Sequence, residues 1–135
     1  MNITIIDGQG GQLGAQLVKE ISARFHNISI TAVGTNTTAT AAMLKAGADN
    51  AATGENSVVV ACRNANVIIG PVGIVITDSL LGEITDKMAV AVARSNAVRI
   101  LIPMNKCDNL IAGVPNLNTK ALIEDSILKL QKIIG

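Results

Sequence analysis

Hydrophobic and polar positions alternate in blocks along the chain, and these blocks predict strands and helices in turn. Short apolar runs at residues 3–6, 28–33, 67–69 and 98–102 are rich in isoleucine and valine, as is typical of buried strands. Residues 48–53 form a weaker candidate, and residues 110–114 predict one more strand near the end of the chain. The pattern therefore predicts a sheet of five or six strands.

Helical periodicity separates these runs. Leu13, Leu17, Ile21 and Phe25 recur every four residues and predict a helix over 12–25, and similar patterns predict helices over 39–46, 85–95 and 119–134. Residues 56–65 are ambiguous, because three consecutive valines favour a strand whereas the alternation favours a helix. We predict a helix there.

Strands that alternate with helices form right-handed crossovers, which build a parallel sheet. The chain is therefore predicted to be one α/β domain over residues 1–135, with a Rossmann-like, doubly wound, mostly parallel sheet flanked by helices. In such sheets, ligands bind at the carboxyl ends of the strands. The turns that follow the predicted strands are also the ones richest in glycine and polar residues.

Composition excludes several classes of function. The net charge is +1, and Phe25 is the sole aromatic residue, so neither a phosphate backbone nor stacked bases would be bound, and nucleic acid is not expected as a partner. The longest apolar run, residues 67–76, is too short to span a bilayer. Without a membrane segment or the basic start of a signal peptide, a cytoplasmic location with reduced cysteines is expected.

A glycine-rich loop directly follows the first predicted strand and opens the first helix. Glycines allow a ligand to approach the backbone, and a helix N-terminus offers free amides to an anion. The loop is therefore predicted to bind a phosphate or a nucleotide, with a tight turn and close helix–strand packing as the structural alternative. Its residues are Gly8, Gln9, Gly10, Gly11, Gln12, Leu13 and Gly14.

The acid that precedes the glycines, Asp7, has two interpretations. It can accept hydrogen bonds from the loop amides, which is the interpretation that we prefer, or it can bind magnesium or the substrate. No metal site is predicted, because the acids are scattered and His26 is the only histidine.

Two further turns are predicted to join the glycine loop at the same edge of the sheet. Gly34, Thr35 and Asn36 follow the second strand, and Gly70, Pro71 and Gly73 follow the fourth. Neither an acid for the ribose of NAD nor an arginine for the extra phosphate of NADP follows the second strand, so weak binding with little preference between the two is expected. Lys106 and Cys107, which follow the fifth strand, are favoured as ordinary surface and reduced side chains, and no catalytic residue is assigned.

The loop has the form GxGGxxG, which resembles the glycine loop of the 4-hydroxy-tetrahydrodipicolinate reductase family over about the first 20 residues. This resemblance implies a Rossmann-like site for NAD or NADP. A wider resemblance, to a family of short bacterial proteins defined as a domain of unknown function, covers most of the chain and implies no activity. It rests on IDGQGG at 6–11, GTN at 34–36, MLKAGAD at 43–49, ATGEN at 52–56, IIGP at 68–71, LGEIT at 81–85 and IP at 102–103.

Low charge also predicts self-association. Charged residues make up 16% of the chain, mean hydropathy is +0.45, and the apolar run at 67–76 continues to Leu80 and Leu81. A homo-oligomer, most simply a dimer, is expected, in which Asp78, Ser79 or Glu83 of one subunit approaches the glycine loop of another.

These observations favour a module that binds a nucleotide or a phosphorylated small molecule at the carboxyl edge of the sheet. Two alternatives remain open. One is an NAD(P)-dependent oxidoreductase-like enzyme whose site is shared between subunits, because the chain leaves no room for a separate substrate domain. The other is a structural or interaction protein.

Overall fold

The computed structural model describes residues 1–104 and 109–135, which form alternating strands and helices. Each strand up to β4 is followed within a few residues by a helical turn. The elements are β1 (Asn2–Asp7), α1 (Gln12–Arg24), β2 (Ser29–Gly34), α2 (Thr37–Lys45), β3 (Asn50–Thr53), α3 (Glu55–Asn64), β4 (Val67–Pro71), a 3₁₀ turn (Val72–Val75), α4 (Asp86–Arg94), β5 (Val98–Ile102) and α5 (Thr119–Ile134).

The five strands form one parallel sheet in the order β3-β2-β1-β4-β5. The central strand β1 pairs with β2 on one side, where Ile3 is opposite Ile30, and with β4 on the other, where Ile3 is opposite Val67. This order matches the first five strands of the doubly wound dinucleotide-binding fold. The predicted fold class is confirmed.

The sheet is covered on both faces, which explains why its strands are continuously apolar. On one face, Ile3 and Ile5 of β1 pack in a core with residues from α1, α2 and α5. On the other face, Ile6 packs with Val58 of α3 and Val92 of α4. Successive side chains of β1 therefore alternate between two separate cores.

Side-chain caps begin three of the helices. The Asn36 side-chain oxygen accepts a hydrogen bond from the Ala39 amide at 2.8 Å, Thr85 accepts one from Met88 at 3.3 Å, and Asn118 accepts one from Ala121 at 2.8 Å. These bonds satisfy amides that have no partner within the helix. The cap at Asn36 makes α2 begin at Thr37, two residues earlier than the sequence pattern predicts.

Two assignments of secondary structure have clear outcomes. The ambiguous segment is helical, as predicted, because α3 must carry the chain from β3 back to the start of β4. The strand predicted at residues 110–114 is wrong. Leu110 is 95% exposed, Gly113 turns the chain with a φ of +77°, and Pro115 follows, so this run neither packs on a core nor continues as extended backbone.

The apolar run at 67–76 forms core rather than surface. The side chains of the inner strand β4 and of the turn after it are buried: Val67, Ile68, Ile69 and Ile74 fully, and Leu80 almost fully. This run therefore gives no reason to expect self-association, although Leu81, which follows it, is exposed. Within residues 1–104 and 109–135, no helix is long and apolar enough to cross a membrane.

Candidate ligand site at the carboxyl edge of the sheet

Three segments meet where the carboxyl ends of β1, β2 and β4 come together. They are the glycine loop (residues 8–14), the turn after β2 with Thr35 and Asn36, and the segment from residue 76 to residue 85, which we call the β4–α4 segment. The connections run in opposite directions from β1 and from β4, so this is the point at which doubly wound sheets open a crevice for ligands.

Asp7, at the end of β1, fixes the shape of the glycine loop. Its two carboxylate oxygens accept hydrogen bonds from the amides of Gly8, at 2.8 Å, and Gly14, at 2.7 Å. Burial raises the pKa of Asp7, those two bonds lower it, and the nearby charge of Glu83 raises it further, with a net increase. The preferred interpretation, a loop-organising acceptor, agrees with this geometry. In the described part of the chain, no group of three or more possible ligands could hold a metal ion.

Glu83 connects the β4–α4 segment to the glycine loop and to the turn after β2. Its Oε1 accepts hydrogen bonds from the Gln9 amide at 3.0 Å, the Thr35 hydroxyl at 2.5 Å and the Asn36 side-chain amide at 2.7 Å. Partial burial raises the pKa of Glu83, but these three bonds outweigh burial and hold the pKa below its usual value. Glu83 is therefore a carboxylate at neutral pH, fixed at the end of β2.

This position of Glu83 corrects two expectations. The sequence lacks an acid directly after β2, yet an acid reaches that place from the β4–α4 segment. The second expectation places Glu83 at the glycine loop of another subunit, whereas Glu83 contacts the loop of its own chain. Sequence spacing could not reveal this contact, because 74 positions separate Gln9 from Glu83.

The β4–α4 segment is a tightly bonded turn. The Asp78 amide donates to the Ile84 carbonyl at 2.8 Å, and the Ile84 amide donates to the Ser79 carbonyl at 3.2 Å. Leu80 and Leu81 both have a φ of +56°, so the backbone turns in the left-handed region just before Glu83. Ser79 is buried and its hydroxyl donates to the Gly73 carbonyl, so its role is in the turn rather than at a ligand.

Most glycines of the loop serve packing. A Cβ at Gly11 would lie 2.6 Å from the Ala39 Cα, and one at Gly14 would lie 2.5 Å from the Met43 sulfur, so the two glycines let α1 approach α2. Gly10 differs, because it is exposed and the nearest atom to its Cβ position lies 3.9 Å away. The structural alternative thus accounts for most of the motif, and Gly10 marks the open side.

Four other predicted site residues are buried at the carboxyl ends of β2 and β4. Gly34, Gly70, Pro71 and Gly73 are buried, and a Cβ at Gly70 would collide with the Ile6 carbonyl of the neighbouring strand. Lys106 and Cys107 lie outside the described residues.

The start of α1 keeps backbone donors available. Among the residues that the structure describes, none accepts a hydrogen bond from the amides of Gly10, Gln12 and Leu13. The N-cap, Gly11, has a φ of +73° and no side chain to cap the helix. These amides lie at the end of α1 that carries a partial positive charge.

Fold and site define the chain as a doubly wound α/β protein with a glycine loop at the centre of its sheet. Residues 2–135 match the family model described as "Domain of unknown function (DUF3842)", and the chain belongs to that family. No curated protein matches it. Among solved structures, the dodecameric FMN-dependent UbiX-like decarboxylase from Escherichia coli O157:H7 is 14% identical. The match covers 98% of this chain and 76% of that one, with a TM-score of 0.46.

Proposed function

We propose that this protein binds a nucleotide or another phosphorylated small molecule at the carboxyl edge of its sheet. The observation that carries the proposal is the set of amides at Gly10, Gln12 and Leu13, which have no acceptor among the described residues and lie next to the open side of the loop. Free amides at a helix N-terminus favour an anion through both hydrogen bonds and the helix dipole. The phosphate of the ligand binds there.

Glu83 restricts where that phosphate can lie. Its carboxylate repels an anion, so the phosphate binds on the Gly10 side of the loop, away from Thr35 and Asn36. In the described part of the chain, Glu83 Oε2 has no hydrogen-bond donor, so it can accept from a hydroxyl group of the ligand. A nucleotide meets both requirements, with a phosphate at one end and ribose hydroxyls beside it.

The same carboxylate makes NAD the better candidate than NADP. A phosphate on the ribose would meet the negative charge of Glu83, whereas free hydroxyls would donate to it. This preference replaces the expectation of equal, weak binding, which rests on the lack of an acid after β2.

Substitution of Gly10 by valine tests the proposal. Thermal-shift and calorimetric titrations with AMP, ADP, NAD and NADP are made on the parent chain, where a nucleotide at 100 times its dissociation constant stabilises the fold by about 2.7 kcal/mol. We expect Gly10→Val to abolish this stabilisation with an unchanged circular dichroism spectrum, because the valine fills the approach without a clash. NAD is expected to bind more tightly than NADP.

The matched control is Ala23→Val, which adds the same side chain at the exposed far end of α1. It should bind nucleotides like the parent chain. Equal binding by the Gly10 variant would show that the loop is only a turn, and no binding of any of the four nucleotides by the parent would contradict a nucleotide as the ligand.

A further inference from the structure

The outer surface of α3 and α4 carries the same three-residue pattern twice. In each helix an acid, a valine and an arginine follow one another at intervals of four residues. Residues at this spacing lie on one side of a helix, one turn apart. The residues are Glu55, Val59 and Arg63 in α3, and Asp86, Val90 and Arg94 in α4.

The two patterns line one groove, which we call the α3–α4 groove. Three adjoining shallow, open depressions follow it, of about 380 Å³ beside Glu55 and Asp86, about 350 Å³ between Val59 and Val90, and about 370 Å³ beside the two arginines. Val90 on this surface is 43% exposed, and Val59 is partly exposed. The groove thus has an acidic end, an apolar middle and a basic end.

The charges at the two ends have no ion-pair partners among the residues that the structure describes. In the described residues, no ion pair within 4 Å involves Glu55, Asp86, Arg63 or Arg94. The acidic end also contains Asp78 and Lys87, so three acids face one lysine there, while two arginines stand at the other end.

We propose that the α3–α4 groove is a two-fold interface between two copies of this chain. The two-fold axis lies in the plane of the contact, perpendicular to the length of the groove, so the grooves of the two copies face each other in opposite directions. The acidic end of one copy then lies on the basic end of the other, and the valines meet in the middle. Such an isologous contact needs a self-complementary surface, and this groove is complementary to itself.

The contact is small. Helices of ten and nine residues are about 15 Å and 14 Å long. Stable interfaces bury about 800 Å² on each partner, which two such helices approach only with the help of their flanking turns. The expected dimer is therefore weak, with a dissociation constant on the order of micromolar, and its ionic contacts make it weaker in high salt.

Sedimentation velocity of the full chain across the micromolar range tests the proposal. The mass should rise with concentration from 13.9 kDa towards twice that value. Asp86→Arg and Arg94→Asp should each remain monomeric, because each places like charges opposite one another. An equimolar mixture of the two variants should dimerise again, because position 86 of each copy then faces a residue of opposite charge at position 94 of the other.

Lys45→Asp is the matched control, because it reverses a cation in the last turn of α2 on the opposite face of the sheet. It should dimerise like the parent. If a charge reversal lowers the helix content, Val90→Glu is used instead. It places a charge in the apolar middle of the groove and should be monomeric. A parent chain that stays monomeric, a dimer that survives these substitutions, or a mixture that fails to associate would overturn the proposal.

Discussion

Two carboxylates at one loop have pKa values displaced in opposite directions. Asp7 lies beneath the loop, where burial raises its pKa, and Glu83 lies above it, where three donors hold its pKa down. Both accept hydrogen bonds from loop amides, so the shape of the loop depends on both. The charge of Glu83 adds a smaller increase to the pKa of Asp7, because like charges repel.

The contribution of Glu83 to stability should depend on pH. Glu83→Ala removes an acceptor of three hydrogen bonds and should cost about 1–3 kcal/mol of unfolding free energy at pH 7. Because the folded-state pKa lies below the ordinary value of 4.5, this stabilisation is present above pH 4.5 and is lost as the pH falls through the folded value. Urea unfolding at pH 7 and pH 3 measures the difference.

The control is Glu20→Ala, which removes a surface acid that pairs with Arg24 and should cost less than about 1 kcal/mol. A loss at Glu83 that is equal at the two pH values would show that packing, rather than the charged hydrogen bonds, carries the effect.

Adjacency in the chain decided which site residues could be predicted from the sequence. Asp7 directly precedes the glycines, so its bonds to Gly8 and Gly14 follow from local geometry. Glu83 could be identified only from the strand order, which brings the turn after β4 next to β1. The burial of Gly70 and Gly73 likewise depends on neighbouring elements that no local pattern describes.

Helix caps at the carboxyl edge hold the site as well as the helices. Asn36 caps α2 through its oxygen, while its amide nitrogen donates to the Gln9 carbonyl at 3.0 Å and to Glu83. Asn118 makes the same type of cap on α5. Comparing the two asparagines therefore measures how much stability the bonds of Asn36 to Gln9 and Glu83 add to that of a helix cap alone.

Asn36→Ala should destabilise the fold more than Asn118→Ala. Loss of a cap alone costs about 0.5–2 kcal/mol, and Asn36→Ala also removes two contacts between segments of the site. Urea unfolding of both variants at pH 7 gives the comparison. Equal losses would mean that the bonds of Asn36 to Gln9 and Glu83 contribute nothing measurable.

Elements with strong periodicity were predictable, and the weak ones depended on tertiary context. The predicted bounds of α5 and β5 agree with the structure, because the apolar residues of α5 repeat at helical spacing and β5 is a short run rich in isoleucine and valine. Residues 110–114 have strand-forming side chains but no place in the sheet. Helix α3 has three strand-forming valines, and its position between two parallel strands overrides their propensity.

The two cores share one sheet, so the molecule should unfold cooperatively. Strand β1 contributes side chains to both cores, and loss of either core exposes the strands of the other. Cys62 lies in the core beneath α3, is 4% exposed, and has a pKa raised by burial to about 11. Its thiol therefore reports on whether that layer opens separately.

In a Cys107→Ser variant, Cys62 is the remaining cysteine. At pH 8 about one thiol in a thousand with this pKa is ionised, so a disulfide reagent should react with it only after unfolding. The opening free energy from labelling, at low protein concentration, should equal the unfolding free energy from circular dichroism in urea. A much smaller labelling value would show that α3 and α4 detach before the rest.

The central position of β1 also determines how the chain can assemble during synthesis. Only one helix, α1, separates β1 from β2 in the chain, so these two strands can pair early in synthesis. The other edge of β1 has its partner only when Val67 and the residues after it emerge. Until then this apolar central strand has one side open to association with other nascent chains, and the arrival of β4 ends that exposure.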